Sequence, residues 1–228
     1  MANLAQETGQ FAGTSRVPLL LAAAFIIAFF ALTHGLVFLG MGTGTGPTRS
    51  LLVAEITGYG AVAGLVVVAC WTWHFSAGWR ATPGRAWPAA VLLGLAAVAI
   101  GGRFLLKQPP AHWPTNTAAM WHTVTEAYVV GRLLVPFAEE LLFRGLLWSI
   151  VAALVPQRRG SVSWATVVTA LLFGVLHWPG LYGLPVAGGG AEVASALAAG
   201  LVFGALREHT GSFLPGLGLH ILGNTLSF

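Results

Sequence analysis

The chain has no aspartate and a single cysteine, and residues of either charge occupy only 8% of its 228 positions. Without aspartate there is no aspartyl dyad for hydrolysis. The one thiol, Cys70, has no disulfide partner. It stands in the apolar run AVAGLVVVACWTW with no binding motif around it, so it reads as a small hydrophobic filler. No serine sits in a GxSG-like setting, and no HExxH helix of the zincin type is present. No basic stripe exists either. The net charge of +4 comes mostly from arginines in short connecting segments, which excludes nucleic acid as the expected partner.

What is abundant is hydrocarbon. Hydrophobic residues make up 56% of the chain and the mean hydropathy is +0.79, well above a soluble domain. The composition predicts an all-α polytopic transmembrane bundle. Apolar segments of spanning length run at Val17 to Gly40, Leu51 to Trp73 and Trp87 to Leu106. A longer helical stretch from Glu126 to Leu154, with Pro136 as its kink, is followed by Val162 to Trp178, Glu192 to Leu206 and Phe213 to the C-terminus. That makes about seven spans. The first run exceeds a signal-peptide core and has no clear cleavage site, so it reads as a retained span. No repeat is visible. The organisation expected is an N-terminal region of three spans over 1–116 and a core of four over 117–228.

With seven spans, Arg16, Arg80, Arg85, Arg158, Arg159 and Arg207 collect on one side, against Arg49, Arg103 and Lys107 on the other. The first side is therefore cytoplasmic, with the N-terminus inside. Tryptophans 71, 73, 79, 87, 113 and 178 fall near span ends, where indole rings anchor at the headgroups.

Against this background the stretch VPFAEELLFRGLLWSIVAALVP, Val135 to Pro156, is anomalous, because Glu139, Glu140 and Arg144 interrupt an apolar helix. Residues four apart share a helix face, so Glu140 faces Arg144 and the pairing offsets part of the few kcal/mol that a buried charge costs. Glu139 has no such local partner. A carboxylate held in an apolar bundle binds its proton more tightly, the condition for a general base near neutral pH. Two later spans carry polar residues at the same spacing: FGVLH puts Phe173 and His177 on one face, and HILGN does the same for His220 and Asn224. A lone histidine or asparagine in a span often just bonds a neighbouring carbonyl. A carboxylate pair, two imidazoles and an amide together can instead bind and polarise a water and stabilise an oxyanion.

EELLFR, FGVLH and HILGN match in order the EExxxR, FxxxH and HxxxN motifs of the CPBP family, also called the Abi or CAAX-protease family, and the region that resembles it runs from about Val135 to the C-terminus. The first three spans match no family pattern. The resemblance implies an integral-membrane, all-helical endopeptidase of the cell membrane, the bacterial inner membrane, acting on a membrane-associated protein or peptide within the lipid bilayer. It further implies that Glu139, His177, His220 and Asn224 activate the hydrolytic water, with Glu140 beside them. Arg144 reads as a positioner of Glu140, and Phe173 as a packing residue that orients His177. The family has been described both as metallo- and as glutamate-dependent. Glu139, His177 and His220 could hold a zinc with an open position, but the expectation is that no metal is obligatory.

Counting along the spans sets Glu139 and His220 nearer the cytoplasmic side than His177. His34, Glu55, His122, Glu126 and Arg132 match no motif and read as packing, interhelical bonding or interfacial residues. Two rivals belong to other classes. A non-catalytic scaffold of the same fold is disfavoured because no motif residue is missing. A proton-coupled transporter is disfavoured by the lack of an inverted repeat.

Overall fold

Long apolar runs leave the backbone one way to satisfy its own hydrogen bonds in lipid within a single segment, the helix. The computed structural model describes residues 16–42, 49–72, 78–79, 132–155, 162–182 and 186–226, and among them every regular element is helical. Helices α1 (Arg16–Gly42) and α2 (Arg49–Thr72) lead to a central rod. The rod comprises α3 (Val135–Glu140), a π-helical segment (Leu141–Leu147) and α4 (Trp148–Leu154). Then follow α5 (Trp164–Leu176), a 3-10 turn (Pro179–Tyr182), α6 (Gly189–Thr210) and α7 (Leu214–Leu226).

The central rod is buried on all sides from Ala138 to Ile150. Its α3 packs on α2 and α7, its π segment on α2, α5 and α6, and α4 on α5. The outer helices show the reverse of a soluble pattern. In α1, Ala23, Ile26, Phe30, Thr33 and His34 face inward at helical spacing, while the opposite face is equally apolar, with Leu21, Phe25 and Leu32 all at least 60% exposed. A helix apolar on every side belongs in hydrocarbon. Cys70 lies in the apolar core. Among the described residues α6 meets both the length and the hydropathy of a span, with shorter apolar stretches at Leu20–Leu36, Ile56–Thr72 and Trp164–Leu176.

Helices α5 and α6 are the most extensively packed pair, and small residues explain how. A Cβ on Gly204 would lie 2.6 Å from Thr166 Cγ2, and one on Gly200 would lie 3.0 Å from Ala170 Cα. The Gly200 and Gly204 pair is the four-residue small spacing that lets membrane helices approach closely. Ends are set locally: the Ser163 hydroxyl accepts from Thr166 N at 3.2 Å to cap α5, and left-handed Gly188 and Gly211 (φ 82° and 75°) bound α6.

Several expected boundaries move. Pro136 lies inside a continuous helical stretch, where π-helical residues 132–134 pass into α3, the position expected for a kink. A second irregularity follows as the π segment Leu141–Leu147. Helix α5 stops at Leu176, so His177 caps it instead of continuing it, and α6 begins at Gly189 and runs on to Thr210. The expected span Trp87 to Leu106, residues 126–131, Trp73, Trp113 and most of the loop arginines lie outside the described residues.

Candidate active site

Three charged side chains sit within one turn and a half of the central rod, and all are sealed from solvent: Glu139 is 2% exposed, and Glu140 and Arg144 are 0% exposed. The pairing expected from helix spacing is present, with Arg144 Nη1 donating to Glu140 Oε1 at 3.0 Å. The rest of the guanidinium faces aromatic rings. Its Cζ stands 4.5 Å from the centroid of Phe173, 5.1 Å from Phe203 and 5.8 Å from Phe143. Ring quadrupoles thus supply part of the attraction that water would give. Two glycines make the room: a Cβ on Gly200 would approach Arg144 Nη2 to 3.1 Å, and one on Gly216 would approach Glu140 Oε2 to 3.1 Å. Arg207 Nε donates to Arg144 O at 3.2 Å and ties this turn to α6.

Glu140 also receives a second donor. His220 Nδ1 lies 3.1 Å from the same Oε1, and because a carboxylate only accepts, the hydrogen is on Nδ1. The Nε2 edge of His220 is thereby turned to Glu139, 3.5 Å from its Oε2. The imidazole is further held by Phe203, stacked at 5.2 Å, and by Phe173, edge-on at 5.9 Å.

His177 is fixed in the same manner. Its Nδ1 lies 2.7 Å from Phe173 O, a carbonyl that can only accept, so Nδ1 carries the hydrogen and Nε2 presents a lone pair. The Phe173 ring packs against it at 4.4 Å. Phe173 therefore touches Arg144, His177 and His220 together, a wider role than orienting His177 alone. Asn224 is half-buried and lines, with His177, His220, Phe173 and Phe203, a cavity of about 410 Å³.

The structure thus brings Glu139, Glu140, Arg144, Phe173, His177 and His220 into contact and sets Asn224 on the wall of the adjoining cavity. The depth difference expected for His177 does not exist. The chain reverses between α4 and α5, so the end of α5 returns to the level of α3, and donor atoms of Glu139 and His177 lie within 4.8 Å of each other.

One residue was passed over as a packing histidine. His34, in the middle of α1, completes a group with Glu139 and His177 whose donor atoms all lie within 4.8 Å of one another. Its ring is 5.6 Å from that of His177, and its Nδ1 is 2.8 Å from Tyr59 Oη. A polar side chain inside the apolar run FFALTHGLVF was the available signal, since such residues face the bundle interior. His34, Glu139 and His177 have the donor types and the spacing for a three-ligand divalent ion, and His220, whose Nδ1 is held by Glu140, turns its Nε2 to the same Glu139 carboxylate at 3.5 Å. His122 and Glu126 lie outside the described residues.

Residues 121–226 match the family model described as type II CAAX prenyl endopeptidase, Rce1-like. No curated protein and no solved structure matches the chain.

Proposed function

With residues 121–226 belonging to the CAAX-protease (CPBP) family of integral membrane proteases, we propose that the chain is an intramembrane endopeptidase that hydrolyses a peptide bond of a membrane-associated protein or peptide. The observation that carries this reading is the Glu139 carboxylate, 2% exposed and bordered by imidazoles whose hydrogens are fixed by acceptor-only partners. A water between Glu139 and His177 Nε2 gives one hydrogen to each and turns a lone pair to the cavity. As its oxygen bonds the scissile carbonyl carbon, its proton passes to Glu139 and the carbonyl π pair moves onto oxygen. The Asn224 amide lines the cavity on the side from which that oxyanion could be stabilised, while His220 Nε2 borders Glu139 Oε2 at 3.5 Å. The C–N bond then breaks, its electron pair stays on the departing nitrogen, and Glu139 returns the proton there. Glu140 acts through His220, and Arg144 through Glu140.

A zinc held by His34, Glu139 and His177 would supply Lewis-acid polarisation of the same water. The direct route is preferred because the fixed tautomer of His177 and the Glu139 carboxylate already account for both water hydrogens. The membrane setting follows the family and the apolar outer faces; a bacterial inner membrane follows the motif resemblance, and an N-terminus inside follows the arginine distribution.

The test is Glu139→Gln, purified in detergent and assayed on a farnesylated, fluorescence-quenched CAAX peptide, alongside a comparison of the membrane proteome in cells carrying either form. Turnover should vanish while the protein still accumulates in the membrane. Near-parental turnover by the variant would overturn the assignment of the base.

A further inference from the structure

Helix α1 lies wholly outside the residues that match the family model, yet it delivers a side chain to the carboxylate. Its register at this point is pinned on both flanks. A Cβ on Gly58 of α2 would meet Thr33 Cγ2 at 2.4 Å, and a Cβ on Gly35 would meet the Tyr182 ring at 2.7 Å, so both glycines are places of direct contact. Tyr182 is itself tied down, its hydroxyl donating to Leu176 O at 2.7 Å at the end of α5. His34, between Thr33 and Gly35, is buried and cannot slide along or rotate about the helix axis without breaking one of these contacts. Tyr59 fixes its ring at Nδ1, so Nε2 is the edge that the ring turns to Glu139 and His177.

The spacing matches one water molecule. Two hydrogen bonds of ~2.8 Å meeting at a tetrahedral oxygen span about 4.6 Å, comparable with the 4.8 Å within which the three donor atoms lie. Resting on the proteolytic reading above, we infer that His34 is a third side chain on the nucleophilic water. The Tyr59 hydroxyl donates to His34 Nδ1, and His34 Nε2–H donates to the water oxygen. The water gives its own hydrogens to Glu139 and His177 Nε2. Three partners are the usual complement of a buried water, and the remaining lone pair faces the substrate. The N-terminal helices are then part of the catalytic site, not a membrane anchor appended to it.

Two readouts test this. In the peptide assay, His34→Ala should lower kcat about 100-fold, the scale of one lost catalytic contact, with KM unchanged. Tyr59→Phe should lower kcat in the same direction by less. His34→Leu, which fills much of the same space but offers no donor, covers the case in which the alanine variant misfolds. The second readout needs no substrate. With 15N-labelled histidines, the ring nitrogen signals of His34 should shift in Glu139→Gln and in His177→Ala, while those of the exposed His209 stay put. Parental kcat in His34→Ala or His34→Leu, or a His34 signal indifferent to Glu139, overturns the proposal. If the parent fails to cleave the peptide or Glu139→Gln cleaves it, the proteolytic reading is what falls, and the nitrogen signals alone decide whether His34 shares a ligand with Glu139.

Discussion

Replacing Arg144 with alanine removes the only cation that pairs with Glu140 among the described residues. Stranding one partner of a buried ion pair costs about 3–5 kcal/mol. The lower end applies here, because His220 Nδ1 continues to donate to Glu140 Oε1 at 3.1 Å. Loss of the stacked contacts with Phe173 and Phe203 adds about 1 kcal/mol, giving a total near 4 kcal/mol. For a chain of this size that lowers the melting temperature by roughly 8–16 °C. Thermal unfolding in detergent, followed by tryptophan fluorescence, measures it. Activity should fall as well, since Glu140 also orients His220. The double variant Glu140→Leu with Arg144→Met separates the two effects: with both charges gone, melting should return close to the parent, while turnover stays low because His220 has lost its Nδ1 acceptor. If Arg144→Ala melts with the parent, the ion pair is not structural; if the double variant is fully active, Glu140 does not position His220.

Gly216→Val should depress kcat strongly and Gly216→Ala less so, because a Cβ there presses on Glu140 Oε2 at 3.1 Å and on Phe203 at 3.2 Å; equal turnover in both variants and the parent refutes the crowding argument. Glu208→Ala removes an acceptor bonded by Ser163 N at 2.9 Å and by Thr166 Oγ1 at 2.5 Å, so stability should fall by about 1–3 kcal/mol without loss of kcat in the surviving protein, as denaturation and steady-state assays would report. Exhaustive chelation, verified by metal analysis, should leave hydrolysis intact; about one zinc per chain together with chelator-sensitive, zinc-restored activity would instead assign His34, Glu139 and His177 as a catalytic metal site.

The helical character and the pairing of Glu140 with Arg144 could be read from the sequence because both are written in local spacing. Glu140 and Arg144 meet as the four-residue interval demands, and the hydrophobic surplus leaves no other architecture. Long-range relations were not readable in that way. Nothing in EELLFR indicates that His220, 80 residues on, takes the other lobe of the same carboxylate oxygen. Nothing in FGVLH indicates that the helix stops one residue short, so that the Phe173 carbonyl rather than solvent sets the tautomer of His177. The π segment has no composition that distinguishes LLFRGLL from an ordinary helix. His34 escaped because its relation to Glu139 depends on how α1 packs against α2 and the 3-10 turn, at Gly58 and Gly35, two small residues with no periodicity to mark them.

The sealed charges on the central rod also bear on how the protein is made. Each of Glu139, Glu140 and Arg144 would cost about 2.5–3.5 kcal/mol at the centre of a lone helix in lipid. Pairing within the rod relieves only Glu140 and Arg144, and the remaining relief arrives from α5, α6 and finally α7, which brings His220. During synthesis the rod therefore leaves the translocon as a poor membrane segment and becomes a good one only when helices encoded later close around it. Chains stalled before His220 should linger at the insertion machinery and be cleared by quality-control proteases, so biogenesis itself selects for molecules in which the hydrolytic site is already assembled.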